Sequence, residues 1–93
     1  MLNQAVIVGR IIYMEPMFNE IKIQIPRNNK DKETGEYLSD TVAIHLSDNI
    51  KENVFKHCAT TDLVGVKGSL RTIEGALIVE AEKVTFLQSK NNE

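Results

Sequence analysis

His45, His57 and Cys58 are the first residues to weigh for chemistry, because imidazole and thiolate ligate transition metals and serve as bases and nucleophiles. Their spacing does not support it. A strand end and most of a helix separate the histidines, and Cys58 has no companion thiol, so zinc-ligand spacing is missing. His57 and Cys58 are adjacent, and adjacent helical residues point about 100° apart, so they do not form a nucleophile–base pair. No phosphate-cradling glycine loop, dinucleotide fingerprint or nucleophile elbow occurs. The expectation is a protein that is not an enzyme and takes no metal and no cofactor. The cations Arg10, Lys22, Arg27, Lys30, Lys32, Lys67 and Arg71 remain as candidate phosphate contacts. Lys22 and Lys67 fall on the polar sides of strand patterns, whereas Lys30 and Lys32 are diluted by Asp31 and Glu33. Tyr37, just beyond this charged stretch, is the candidate for stacking on a nucleobase, with Tyr13 and Phe18 weighed beside it.

The elements that must carry these residues follow from periodicity. Residues 2–14 read as a strand apolar on both sides, with Gly9 marking a bulge or sharp bend. Ile21, Ile23 and Ile25 alternate with Lys22 and Gln24, the signature of a half-buried strand that Pro26 ends. Residues 26–37 read as a polar hairpin loop with a flexible tip, turning at Thr34-Gly35. Val42, Ile44 and Leu46 define a third strand. The period then changes: Ile50, Val54 and Cys58, with Phe55 beside them, predict a three-turn helix over 48–59, with Asn49 and Glu52 at capping-box spacing. Strands over 63–72 and 76–88 follow, joined at Glu74-Gly75. In the fourth strand, Gly65 and Gly68 permit tight curvature, and Val64, Val66 and Leu70 face one way with Lys67, Ser69 and Arg71 on the other. Phe55 and Phe86 are expected in the core.

The order β-β-β-α-β-β predicts an all-β fold with one helix: an OB-fold, a five-stranded Greek-key barrel. The expected domain is 1–88, with 89–93 a disordered polar tail. A chain of 93 residues has room for one domain. Its composition, 42% apolar and 26% charged, is that of a globular protein. The net charge of −2 argues against a strongly basic nucleic-acid binder, although the distribution of charge matters more than its sum. No apolar run approaches the ~20 residues of a membrane span. With one cysteine and no secretory pattern, a reducing cytoplasm is expected.

Five stretches in order resemble bacterial single-stranded DNA-binding proteins. MLNQAVIVGRI is similar to their opening, commonly M-x-N-x-V-x-L-V-G-R/N-L. NKDKETGEY resembles a loop of the form W-x-D-x-x-T-G-E. DNIKENVFKHC lies where they carry a helix. LVGVKGSLRT resembles V-x-V-x-G-x-L-x-T, and EAEKVTFLQ their closing strand. The resemblance covers roughly residues 1–88. It implies a cytoplasmic, nucleoid-associated protein that binds single-stranded DNA without reading sequence, in replication or recombination, as a homodimer or homotetramer.

The departures matter as much. Asn29 stands where the family usually has a Trp, and positions near Asp40 and Ile73 also lack the family's aromatics. The hairpin between the last two strands is reduced to about Glu74-Gly75, and the acidic tip that recruits partners has no counterpart in these residues. Aromatics are only 5% of the chain, so the expected binding is largely electrostatic. The alternative is an OB-fold protein-interaction subunit, similar to primosomal replication protein N, that contacts replication proteins with weak or no DNA binding. The doubly apolar first strand predicts self-association through Leu2, Asn3, Ala5 and Ile7.

Overall fold

Alternation of apolar and polar residues sets the strands, and the computed structural model describes residues 2–89 of the chain. β1 (Ala5–Glu15) runs through a 3-10 turn, Pro16–Phe18, into β2 (Glu20–Lys30). β3 (Tyr37–Leu46) leads to helix α1 (Lys51–His57), then β4 (Leu63–Ile73) and β5 (Ala76–Gln88). The strands close a barrel in the order β1-β2-β3-β5-β4. Every pairing is antiparallel except the short parallel match of β3 with β5 at Ile44–Leu46.

One parity of each strand fills the barrel. Ile11, Ile21, Ile23, Ile44, Leu46, Val64, Val66 and Val79 are fully buried there. Val54 of α1 joins this cluster, with Ile50, Phe55 and Cys58 packed against it, so the expected helical stripe does face the core. The helix is shorter than its pattern suggests. Asp48 and Asn49 lie in a turn, Ile50 occupies the N-cap with no side-chain cap bond, and the capping box does not form. The Asp48 carboxylate instead meets Lys51 at 3.1 Å. Cys58 is already extended, and the Asp62 carboxylate accepts the Ala59 N–H at 2.9 Å at the helix exit.

Two glycines are required by close backbone approach. A Cβ at Gly9 would sit 2.5 Å from the Gln24 carbonyl oxygen of β2 and against the Ile23 side chain. A Cβ at Gly68 would overlap the Glu80 carbonyl oxygen and lie 3.0 Å from Ala81 Cα. Gly65, by contrast, has ordinary room: the nearest atom is 3.7 Å away. The bulge in β1 falls beyond Gly9, between Ile11 and Tyr13.

The structure departs from expectation where strands outrun the barrel. Residues 26–30 are strand rather than loop: Pro26 pairs with Ser39 and Lys30 with Tyr37, across a bulge in β2. β2 has no β1 partner past Gln24, so Pro26 occupies a one-sided position where its missing N–H is tolerated. The tip is closed by bonds from Asp31 N–H to the Glu36 carbonyl (2.7 Å) and from Gly35 N–H to the Asp31 carbonyl (2.9 Å). β4 likewise loses β1 past Gly68, while Ser69–Ile73 continue pairing with β5. Leu70 and Leu77 are therefore exposed on a projecting hairpin rather than in the core. Its turn is a two-residue one with positive φ at both Glu74 and Gly75. Phe86 is half exposed, because β5 runs to the rim of the barrel. The domain's last strand ends at Gln88, and residues 90–93 of the expected tail lie outside the described residues.

Candidate nucleic-acid interface

The register assigns the candidate residues to faces. On the outside of the β1–β2–β3 sheet, Tyr13 pairs with Lys22, which pairs with Ala43; Arg10 pairs with Gln24, which pairs with Thr41. Tyr37 has the same parity on β3 as Thr41 and Ala43, so Lys30 and Tyr37 continue this face onto the arm. The result is two tyrosine–lysine units. The Lys22 ammonium lies 5.3 Å from the Tyr13 ring centroid, and the Lys30 ammonium 5.0 Å from that of Tyr37. Six residues of β3 separate their rows, about 20 Å at strand rise. Each unit offers a ring face for stacking and a cation for a phosphate. Tyr37 is 60% exposed, which suits that role.

Tyr13 was the less visible of the two. The bulge at Ile11/Tyr13 turns both Ile12 and Tyr13 outward, which strict alternation does not foresee. Its hydroxyl donates to Glu15 Oε1 at 3.1 Å, and that bond, reinforced by the carboxylate's charge, raises the phenol's pKa above its ordinary value.

Arg10 is fixed at the end of the same face. Its Nη1 donates to the Thr61 carbonyl at 3.0 Å, while the Thr61 N–H donates to the Ile11 carbonyl at 2.7 Å. Thr61 holds φ +79, a left-handed conformation that a β-branched residue adopts only under constraint. Arg10, Gln24, Thr60 and Thr61 line a shallow pocket beside β1. Gln24 Nε2 donates to Ser39 Oγ at 3.0 Å, tying the barrel face to the arm.

The other candidates lie elsewhere. Arg27 has the opposite parity to Pro26 and makes a two-point contact with Asp40, Nε–Oδ2 at 3.0 Å and Nη2–Oδ1 at 2.6 Å. These bonds raise the Arg27 pKa and hold the Asp40 carboxyl below the usual range. Lys32 sits in the arm's turn. Lys67 is on a different wall, directly across from Lys83 of β5 and next to Val6 of β1. Arg71 is on the β4–β5 hairpin, 3.7 Å from Glu80. The structure thus brings Arg10, Lys22, Lys30 and Tyr37 to one face, with Lys32 at its tip, and leaves Arg27, Lys67 and Arg71 off it. Lys83, Asp40 and Glu80 were not foreseen as part of this electrostatic pattern.

Of the residues expected to self-associate, Leu2 is 90% exposed. Asn3 is engaged within the chain, donating to the Leu70 carbonyl and accepting the Leu70 N–H, both at 2.9 Å. Ala5 and Ile7 point inward and pack against the core, because a strand's side chains alternate. The outward positions of β1 are Val6, 73% exposed, and Val8, 50% exposed. Among the described residues, no His/Cys/Asp/Glu cluster could hold a metal ion, and no helix is long and apolar enough to cross a membrane.

A closed five-stranded barrel of this strand order, with its one helix between β3 and β4, is an OB-fold. Solved structures share it over nearly the whole chain. A Plasmodium falciparum SSB, solved in complex with ssDNA, superposes with a TM-score of 0.66 at 19% identity, covering 95% of this chain and 96% of its own. Rim1, a mitochondrial single-stranded DNA-binding protein from S. cerevisiae, gives 0.69 at 16% identity, covering 96% and 97%. A small single-stranded DNA-binding protein from Mycoplasma pneumoniae gives 0.65 at 19% identity, covering 100% and 92%. At these identities the likeness is one of fold. No protein-family model matches the chain, and no curated protein does.

Proposed function

We propose that this protein binds single-stranded DNA without sequence preference, through the outer face of β1–β2–β3 and the β2–β3 arm. The observation that carries the reading is the alignment of two tyrosine–lysine units with Arg10 on one face. Structural neighbours named as single-stranded DNA-binding proteins support it. No groove donor pattern for base edges is needed: rings take any base, and cations take phosphates. Arg10, Lys22, Lys30 and Lys32 supply four phosphate contacts. At about 0.7 per phosphate, the log–log salt slope is about −2.8, so affinity falls roughly 2,000-fold between about 20 and about 300 mM salt. Fluorescent oligo-dT titrated at both concentrations tests this. No binding at the lower salt overturns the DNA reading; binding that persists with a shallow slope overturns the electrostatic mechanism.

The role in replication or recombination, with nucleoid association, belongs to the same reading. A protein-interaction subunit is the second reading, favoured by the exposed apolar line of Val6 and Val8 on β1. Self-association through the outer side of β1, as a homodimer or homotetramer with Leu2 at its margin, would cover those residues. A monomeric mass by light scattering at micromolar concentration would remove that assembly.

A further inference from the structure

The outer wall of the barrel carries a charged cluster beside the tyrosine–lysine face. His45 of β3 pairs in register with Glu20 of β2 on one side and Glu80 of β5 on the other. His45 Nδ1 lies 2.7 Å from Glu80 Oε2, and Arg71 Nη1 of β4 lies 3.7 Å from Glu80 Oε1. Each carboxylate oxygen therefore addresses a different basic group. The Glu80 side chain is only 23% exposed, less than either of those partners.

All three arginines of the chain are turned to internal partners: Arg10 to the Thr61 carbonyl, Arg27 to Asp40 and Arg71 to Glu80. The Arg27 pair is two-point and tight. The Arg71 contact, at 3.7 Å, is beyond hydrogen-bond distance, so it is the one most readily exchanged for another anion. A backbone phosphate offers the same features as the Glu80 carboxylate: negative charge and two accessible oxygens. We propose that Arg71 and His45 form a phosphate subsite that the chain's own Glu80 occupies, so that DNA uses it only by displacing this carboxylate. The proposal rests on the single-stranded DNA reading and deepens it. Glu80 then acts as a built-in competitor that lowers affinity and flattens its salt dependence.

The test is oligo-dT anisotropy on the full chain across salt. Glu80→Gln, isosteric and without charge, should bind about fivefold tighter at low salt, with a slope steeper by about 0.7, one phosphate's share. Arg71→Ala alone should change affinity less than about twofold, yet remove most of the gain when combined with Glu80→Gln. Glu52→Gln on α1 makes the same change in net charge away from the cluster and should gain less than about twofold. An equal gain in Glu52→Gln, or a Glu80→Gln gain that survives Arg71→Ala, overturns the subsite. If Glu80→Gln melts well below the parent, Glu80→Thr, a good strand former, takes its place in the same cycle. If neither the parent nor Glu80→Gln binds at low salt, the DNA reading itself falls. A parent that binds and a Glu80→Gln variant unchanged in affinity and slope overturn the Glu80 inference alone.

Discussion

Gly68→Ala tests how the barrel holds its outer wall. The residue lies on β4 at the last position paired with β1, opposite Ala81 of β5. An added methyl would meet backbone atoms: it overlaps the Glu80 carbonyl oxygen, with the carbonyl carbon at 2.9 Å and Ala81 Cα at 3.0 Å. Backbone cannot swing aside as a rotamer does. Overpacking against yielding side chains costs about 1–3 kcal/mol, so the cost here belongs at or above the top of that range, about 3 kcal/mol. Alanine's smaller unfolded-state entropy returns roughly 0.4–1 kcal/mol. The net loss is about 2 kcal/mol or more, which is about 8–16 °C in Tm for a domain near this size. Gly65→Ala, on the same strand, meets nothing nearer than 3.7 Å. It should leave Tm unchanged or raise it by a few degrees, by the same entropy term. Thermal melts followed by circular dichroism, with urea titrations to confirm unchanged m-values, supply the comparison. Equal Tm changes for the two variants would refute the argument from close approach.

Other perturbations separate binding from folding. Tyr37→Ala should leave Tm within about 2 °C, since the ring is exposed, and weaken oligo-dT binding by about 1–3 kcal/mol, or roughly 5- to 150-fold; unchanged affinity would remove Tyr37 from the interface. Thr61→Asn keeps both backbone bonds but suits the left-handed conformation better, so stability should rise by about 1 kcal/mol in urea titrations. The Cys58 thiol is pushed above its ordinary pKa, by burial first and the Asp62 charge second. Below that raised pKa it stays protonated, so disulfide exchange with an aromatic disulfide at about pH 8 should run several-fold slower in the native protein than in urea; equal rates would contradict its placement.

The repeat of apolar positions at period two made the barrel strands legible, and the Ile50/Val54/Cys58 stripe made the helix legible. What sequence pattern missed are places where one rule was overridden by another. Pro26 reads as a stop, yet an arm with a single neighbour has no second ladder for its missing N–H to break. Leu70 continues an inward parity, yet the strand beside it has already ended. Tyr13 sits outside because a bulge breaks the alternation that would have hidden it. Asn49 and Glu52 have capping-box spacing, yet the chain enters α1 through a turn that moves the N-cap one residue on, to Ile50. The candidate site was half legible: cation types can be read from sequence, but which cation shares a wall with which tyrosine depends on register.

Charge distribution explains why a chain of net −2 can still offer a cationic path. Along β2, the face runs from Glu20, across from Glu15 and His45, through Lys22 to Lys30 at the arm. The acidic end is also where Glu80 meets His45, so negative charge is concentrated on one side of the Lys22 row and positive charge on the other. Glu20, two residues from Lys22 on the same face, lies about 7 Å away, inside the Debye length of about 10 Å at 0.1 M salt, and offsets Lys22; Lys30, about 20 Å along the arm, lies beyond its reach. Raising salt shortens that range and weakens the attraction itself, while the two tyrosine faces keep their stacking. In the proposed binding, the arm and the barrel wall each contribute one ring and one lysine: the rings would set a floor of affinity that salt hardly moves, and the lysines would set how far above that floor binding rises at low salt.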